Sequence, residues 1–163
     1  MSTGKRAEPH SEAPAKLASI RRADGPGRWR QVETLVYKLD GDAPFKDITR
    51  QVLFSDRALA AELRYFEMAP GGHSTLERHQ QLHAVMIHRG EGQCLIGTEV
   101  SKVEPGDLVF IPAMVWHQFR AGPHQPFGFL CMVDARRDKP ILPAPDELAS
   151  LRRHPAVAAF LDS

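Results

Sequence analysis

The chain has 163 residues, and its 21 Lys and Arg almost balance 20 Asp and Glu, for a formal net charge of +1. That length fits one domain with a buried core, and the even charge argues against a protein held on nucleic acid by a phosphate-neutralising surface. No apolar run is long enough to span a membrane, MSTGKRAEPH lacks the apolar core of a secretory signal, and Cys94 and Cys131 form no CxxC site or disulfide framework, so a reducing cytoplasm is expected.

Residues 1–30 are rich in Ala, Pro, Gly, Arg and Ser without periodicity, which predicts a loosely ordered extension. From residue 31 to 140 short apolar runs alternate with turn residues. Strands are expected at Val32–Lys38, Arg50–Phe54, Ala61–Met68, Ser74–His79, His83–His88 and Gly92–Ile96. Four more follow at Glu99–Val103, Asp107–Ile111, Trp116–Arg120 and Phe127–Val133. Pro70-Gly71-Gly72, Gly97-Thr98 and Pro105-Gly106-Asp107 read as reversals between them. The pattern is that of an all-β sandwich or barrel. In the tail, 141–163, a helix opens at Pro145 and breaks at His154-Pro155, and it is expected to cover one sheet edge.

Five of the eight histidines fall between His73 and His117. Glu77 and His79 are two apart, so on a strand they share a face. His83 follows across a turn at Gln80-Gln81, and His117 arrives on a distant strand. Two ligands from one strand, one from its hairpin partner and one from afar can meet inside a small barrel. Neutral imidazoles with one carboxylate suit Mn, Fe, Ni, Cu or Zn and are unlike a thiolate structural zinc site. On an octahedral ion, four such ligands leave two positions open. The alternative is a set of scattered surface or core histidines, and alternation makes His88, which points outward if His83 points inward, the clearest non-ligand. Gln81 and His73 stand near enough to assist.

These residues resemble the cupin superfamily, whose first motif is written G-x5-H-x-H-x3,4-E-x6-G. Here Gly71-x5-Glu77-x-His79-x3-His83-x6-Gly90 keeps the spacing with the first His and the Glu exchanged. The second motif, G-x5-P-x-G-x2-H-x3-N, is met by Gly106, Pro112 and His117, with Met114 and Ala121 at the other two positions. The resemblance covers roughly Arg50 to Val133 and looks like the small microbial single-domain members. It implies a jelly-roll barrel and one divalent transition metal per chain on Glu77, His79, His83 and His117. A homodimer is also implied, and Trp116, expected to face away from His117, is the candidate mark of its interface. Because the carboxylate has changed position, a mechanism that uses the usual Glu as proton acceptor does not carry over.

Alternation places Val85 and Ile87 with His83, and Phe119 with His117, on the inner face. Phe129 is a further candidate lining residue, as is Tyr65 with its neighbours Arg64 and Phe66, whose register the sequence leaves open. An apolar lining around a cationic ion suits a small substrate with an oxygen-donor head. Three functions compete: a metalloenzyme resembling cupin dioxygenases, isomerases or lyases; a metal-dependent binding or sensing module; and a metal that only ties the barrel together. No dedicated general base and no GxxxxGK phosphate loop is found.

Overall fold

Nine strands and two helices follow in the order β1 (Leu35–Val36), β2 (Lys46–Phe54), β3 (Ala61–His73), β4 (His83–Arg89), β5 (Gly92–Ile96), β6 (Glu99–Val103), β7 (Leu108–Ile111), β8 (His117–Ala121), β9 (Phe127–Asp134), α1 (Pro145–Leu151) and α2 (Pro155–Asp162). This computed structural model describes residues 20–38, 44–136 and 138–163. The strands form one antiparallel sheet in the order β6-β5-β8-β3-β9-β4-β7, with β2 also on β3 and β1 on β2. β3 and β8 share a single register position, His73 with Arg120. The sheet folds over on itself there, and its two halves enclose the core. The all-β jelly-roll expectation holds.

Directly opposed residues share a face, so register writes the interior row by row. Ile48, Met68 and Phe127 make one row, and Arg50, Phe66, Phe129 and Ile87 the next. Val52, Arg64, Cys131, Val85 and Val109 follow, then Glu62, Val133, His83 and Ile111. Phe119 and Cys94 face these from the β5–β8 half. Each fully buried large apolar side chain contributes roughly 1.5–3 kcal/mol, so these rows supply most of the fold's stability.

Two expectations are corrected. Pro70-Gly71-Gly72 does not reverse the chain. β3 runs through it to His73, with a register shift opposite Lys46–Ile48 and Gly71 at φ 70°, while the Gly71 N–H donates to Gly122 O. The turn residues make a bulge that carries the chain from one half of the barrel to the other. Ser74–His79 is not a strand. It runs beside β8 with one bridge, Glu77 to His117, and a bond from Ser74 N–H to Phe119 O. The helices, broken at His154-Pro155 as expected, cover the edge strand β6 and its neighbour β5 on their outer face. Leu151, Val157 and Phe160 pack on Leu76 and Leu95 there, with Val100 and Trp116 at the margin.

Trp116 is therefore covered: it packs at this cluster and stacks under the Arg78 guanidinium, 4.4 Å from ring centroid to Cζ. It does face away from His117, but it does not present a bare surface. Of the extension expected to be loose, residues 1–19 lie outside the described residues. From Ile20 onward contacts appear, since Gln51 Nε2 donates to Gly27 O at 2.7 Å and Trp29 stacks on Tyr65 at 5.1 Å.

Candidate metal centre

The bulge near the end of β3 is what delivers the site. It sends residues 74–79 along the end of β8, where Glu77 and His117 exchange both backbone hydrogen bonds, at 3.2 and 3.0 Å. Residues paired this way project to the same side. His79 follows two positions later, and His83 opens β4 beside them.

The nitrogens of His79, His83 and His117 lie within 4.8 Å of one another. Ring centroids are 4.7, 5.0 and 5.2 Å apart. His79 Nδ1 is 3.1 Å from Gln81 O, and His117 Nδ1 is 2.9 Å from Val115 O. A carbonyl only accepts, so each Nδ1 carries the proton and each Nε2 keeps its lone pair for a ligand. His79 Nε2 and His83 Nε2 are 2.9 Å apart. Nitrogens this close could reach one ion together. Burial holds the His117 imidazole below its usual pKa, against the opposing pull of the Val115 carbonyl and Glu77. A neutral imidazole is the ligating form, so the donor set fits a divalent transition metal.

Glu77 stands at this cluster but outside the trio. Its Oε2 is ion-paired with Lys38, which also donates to Thr75 Oγ1 at 3.3 Å. Nothing in the sequence foretold Lys38, because the pairing spans 39 positions and lies outside any periodic element. Gln81 is buried: its carbonyl orients His79, and its side chain donates to Asp138. His73 is held at the end of β3 by Ser74 O and meets none of the trio. His88 is exposed and faces outward, stacked on Trp29 and Tyr65.

Two adjoining hollows meet at the cluster. The inner one, about 40 Å3, is lined by His83, His117, Val85, Phe119, Phe129 and Cys131 among others. The outer one, about 320 Å3, is lined by His79, His83, Glu77, Lys38, Arg50 and Arg64 with Tyr37 and Phe66. Small-molecule sites start near this size. Hollows of about 430 and 410 Å3 lie elsewhere on the surface and touch none of the three histidines.

Of the expected lining residues, Val85, Phe119 and Phe129 border the inner hollow, and Ile87 is buried beside Phe129 without reaching it. Tyr65 is corrected. It lies on the opposite face of β3, under Trp29, with its hydroxyl donating to Glu67 at 2.7 Å, and Gly128, which pairs with Glu67, leaves room for its ring. Its neighbours Arg64 and Phe66 take the inward positions. Cys131 is buried as expected, and its Sγ lies 3.0 Å from His83 Nδ1, a placement that strand burial alone did not reveal. Cys94 is also buried, and burial pushes its thiol up to about 11.

A family model described as Cupin domain matches residues 64–133. The 1-methylthio-D-xylulose 5-phosphate methylsulfurylase of Rhodospirillum rubrum is 60% identical over 135 residues, which are 83% of this chain and 86% of that protein. The chain is a cupin. Two solved cupins agree in fold. A cupin 2 conserved barrel domain protein from Rhodopseudomonas palustris is 56% identical and covers 87% of this chain and 98% of its own, with a TM-score of 0.82. A cupin-2 domain protein from Rhodospirillum rubrum is 57% identical and covers 88% and 96%, with a TM-score of 0.80. In this cupin no described helix is long and apolar enough to cross a membrane.

Proposed function

We propose that this cupin is a metal-dependent methylsulfurylase that acts on 1-methylthio-D-xylulose 5-phosphate or a close analogue. The observation that carries this reading is the 60% identity to a protein of that name across most of both chains. The chemistry differs from the dioxygenase, isomerase and lyase classes that the sequence motifs evoke. What supports it within the chain is a sulfur atom in the right place: Cys131 Sγ borders the inner hollow beside the imidazoles.

His79, His83 and His117 hold one divalent ion, with Glu77 as the fourth ligand once it leaves Lys38. When bound, that ion is a Lewis acid for a substrate carbonyl and for the charge that develops on it. The chain's own groups do the rest. Val85, Phe119 and Phe129 give the methylthio group an apolar seat and exclude water. With His83 Nε2 turned to the ion, its Nδ1–H donates to the Cys131 sulfur and steadies it as a thiolate, which attacks the methylthio sulfur. A bond between the two sulfurs forms, the carbon–sulfur bond breaks with its electron pair left on carbon, and one proton is returned to that carbon. A second, soluble thiol then releases the methylthio group as a mixed disulfide and restores Cys131. Tyr37 closes this side of the site as a neutral donor, since burial, with Glu77 second, holds its hydroxyl well above the usual value.

The test is turnover of 1-methylthio-D-xylulose 5-phosphate by metal-loaded protein with a small thiol present, for wild type and Cys131→Ser. The expected result is a desulfurised ketose phosphate from wild type and at least a thousandfold less from the variant, with metal content unchanged. No turnover by metal-loaded wild type would refute the reading and leave a metal-dependent binding protein.

The reaction fits a cytoplasmic protein, because it consumes a soluble thiol. A homodimer is supported by a different surface from the Trp116 face. On the outer face of β4, β7 and β9, Leu108, Phe110, Met86 and Met132 form a bare apolar patch, with Leu108 78% and Phe110 61% exposed.

A further inference from the structure

Arg50 and Arg64 occupy adjacent inward rows of β2 and β3, where the other inward residues are apolar apart from Glu62, His83 and Cys131. Both border the 320 Å3 hollow that also touches His79 and His83. Inward-facing arginines are costly in such a place unless something pairs with them. Arg64 has a partner: its Nε donates to Glu62 Oε2 at 2.9 Å and its Nη2 donates to the same oxygen, which leaves Nη1 uncommitted in those bonds. Arg50 is different. Its Nε is buried and has no hydrogen-bond partner among the described residues. The carboxylates that do border the hollow are engaged elsewhere, Glu77 by Lys38 and Asp138 by Gln81.

We propose that Arg50, with Arg64 beside it, is the phosphate subsite of this pocket, and that it binds the monoester dianion of the substrate while the far end of the substrate reaches the histidine cluster. The substrate's identity rests on the functional reading above; the anion subsite does not. A guanidinium fork matches phosphate oxygens in pairs, and a dianion would supply Arg50 Nε with the partner it lacks. Burial first, and the neighbouring Arg64 second, hold the Arg50 guanidinium below its ordinary pKa, against the opposing pull of Glu62 and Tyr37. Strand geometry gives a suitable reach. Arg64 is opposite Cys131 on the neighbouring strand, about 5 Å away in backbone terms, and Arg50 is on the strand beyond. The subsite would make the enzyme select phosphorylated substrates over their free sugars.

The test measures two things on metal-loaded protein, for wild type, Arg50→Gln and Arg50→Lys. Calorimetric binding of inorganic phosphate should weaken about 10- to 100-fold in Arg50→Gln and less in Arg50→Lys, with metal content and Tm unchanged. The KM for the phosphorylated substrate should rise by a similar factor, with kcat nearly kept, while the KM for its unphosphorylated analogue stays where it was. Phosphate affinity unchanged in Arg50→Gln would overturn the proposal, because the anion would then be on the metal or elsewhere. Equal rises in KM for the two substrates would also overturn it. Phosphate binding that depends on Arg50 in a protein without turnover would keep the subsite and refute the methylsulfurylase reading instead.

Discussion

Along β3 and β9 the inward positions run from Met68 and Phe127 at one end of the barrel to Arg64, Cys131, Glu62 and Val133 at the other. The same strands and the same alternation build both ends. At the first end Phe119, Phe127 and Phe129 stack with centroids 4.5 to 6.4 Å apart, and nothing there needs a partner. At the second end the chain buries His79, His117, Arg64 and Glu77 and half-buries His83, Arg50 and Lys38. One end gains stability from burial, and the other spends it on groups that water would have satisfied. The difference shows where function sits in this fold: the alternation of a strand decides which face a residue takes, but the row it occupies decides whether it packs or reacts.

That contrast can be broken at either end. The largest effect is expected from His79→Ala, which should strip the metal and abolish turnover, whereas His88→Ala, on the outer face, should keep both. Equal loss in the two, read as metal per chain, would contradict the placement of the cluster. At the apolar end Phe127→Ala should cost about 3–5 kcal/mol of stability, seen in denaturant unfolding, with metal stoichiometry unchanged in the folded protein. Loss of metal there at equal foldedness would mean that the two ends are not separable. Glu77→Gln should be milder and weaken metal affinity by about 10- to 100-fold in a competition titration with a chelator; no change would leave Glu77 as the partner of Lys38 alone.

The smallest effect sharpens the comparison with pH. Protons compete with the ion for Nε2, so affinity should fall on acidification. An imidazole with the ordinary pKa of about 6.5 loses about tenfold between about pH 7.5 and 5.5. Burial keeps His117 below that value, so its own share of the loss comes later and is smaller. Affinity flat from about pH 8 to 5 would contradict ligation by histidine.

Much of this was legible in the residues. β5 ends and β6 begins where Gly97-Thr98 demands, with Gly97 at φ 63°. The three histidines were found because their spacing is preserved through a motif that names no other chemistry. What was hidden was hidden for physical reasons. Arg64, Tyr65 and Phe66 are all buried, so alternation of polar and apolar residues could not say that Tyr65 points out and its neighbours in. Pro70-Gly71-Gly72 has the composition of a reversal, and only the pairing of Gly71 with Gly122 turns it into a bulge. Lys38 and Trp116 find their partners across long stretches of sequence, which local pattern does not encode. Arg50 was readable in principle: two residues from Ile48 and from Val52, it shares their inward face.

The most direct measurement is elemental analysis by mass spectrometry of protein purified without chelator or affinity-column nickel, for wild type and His117→Ala. The account predicts about one manganese, iron, nickel, copper or zinc ion per wild-type chain, and almost none in the variant at unchanged secondary structure. No metal in either protein, with none taken up on reconstitution, would contradict it.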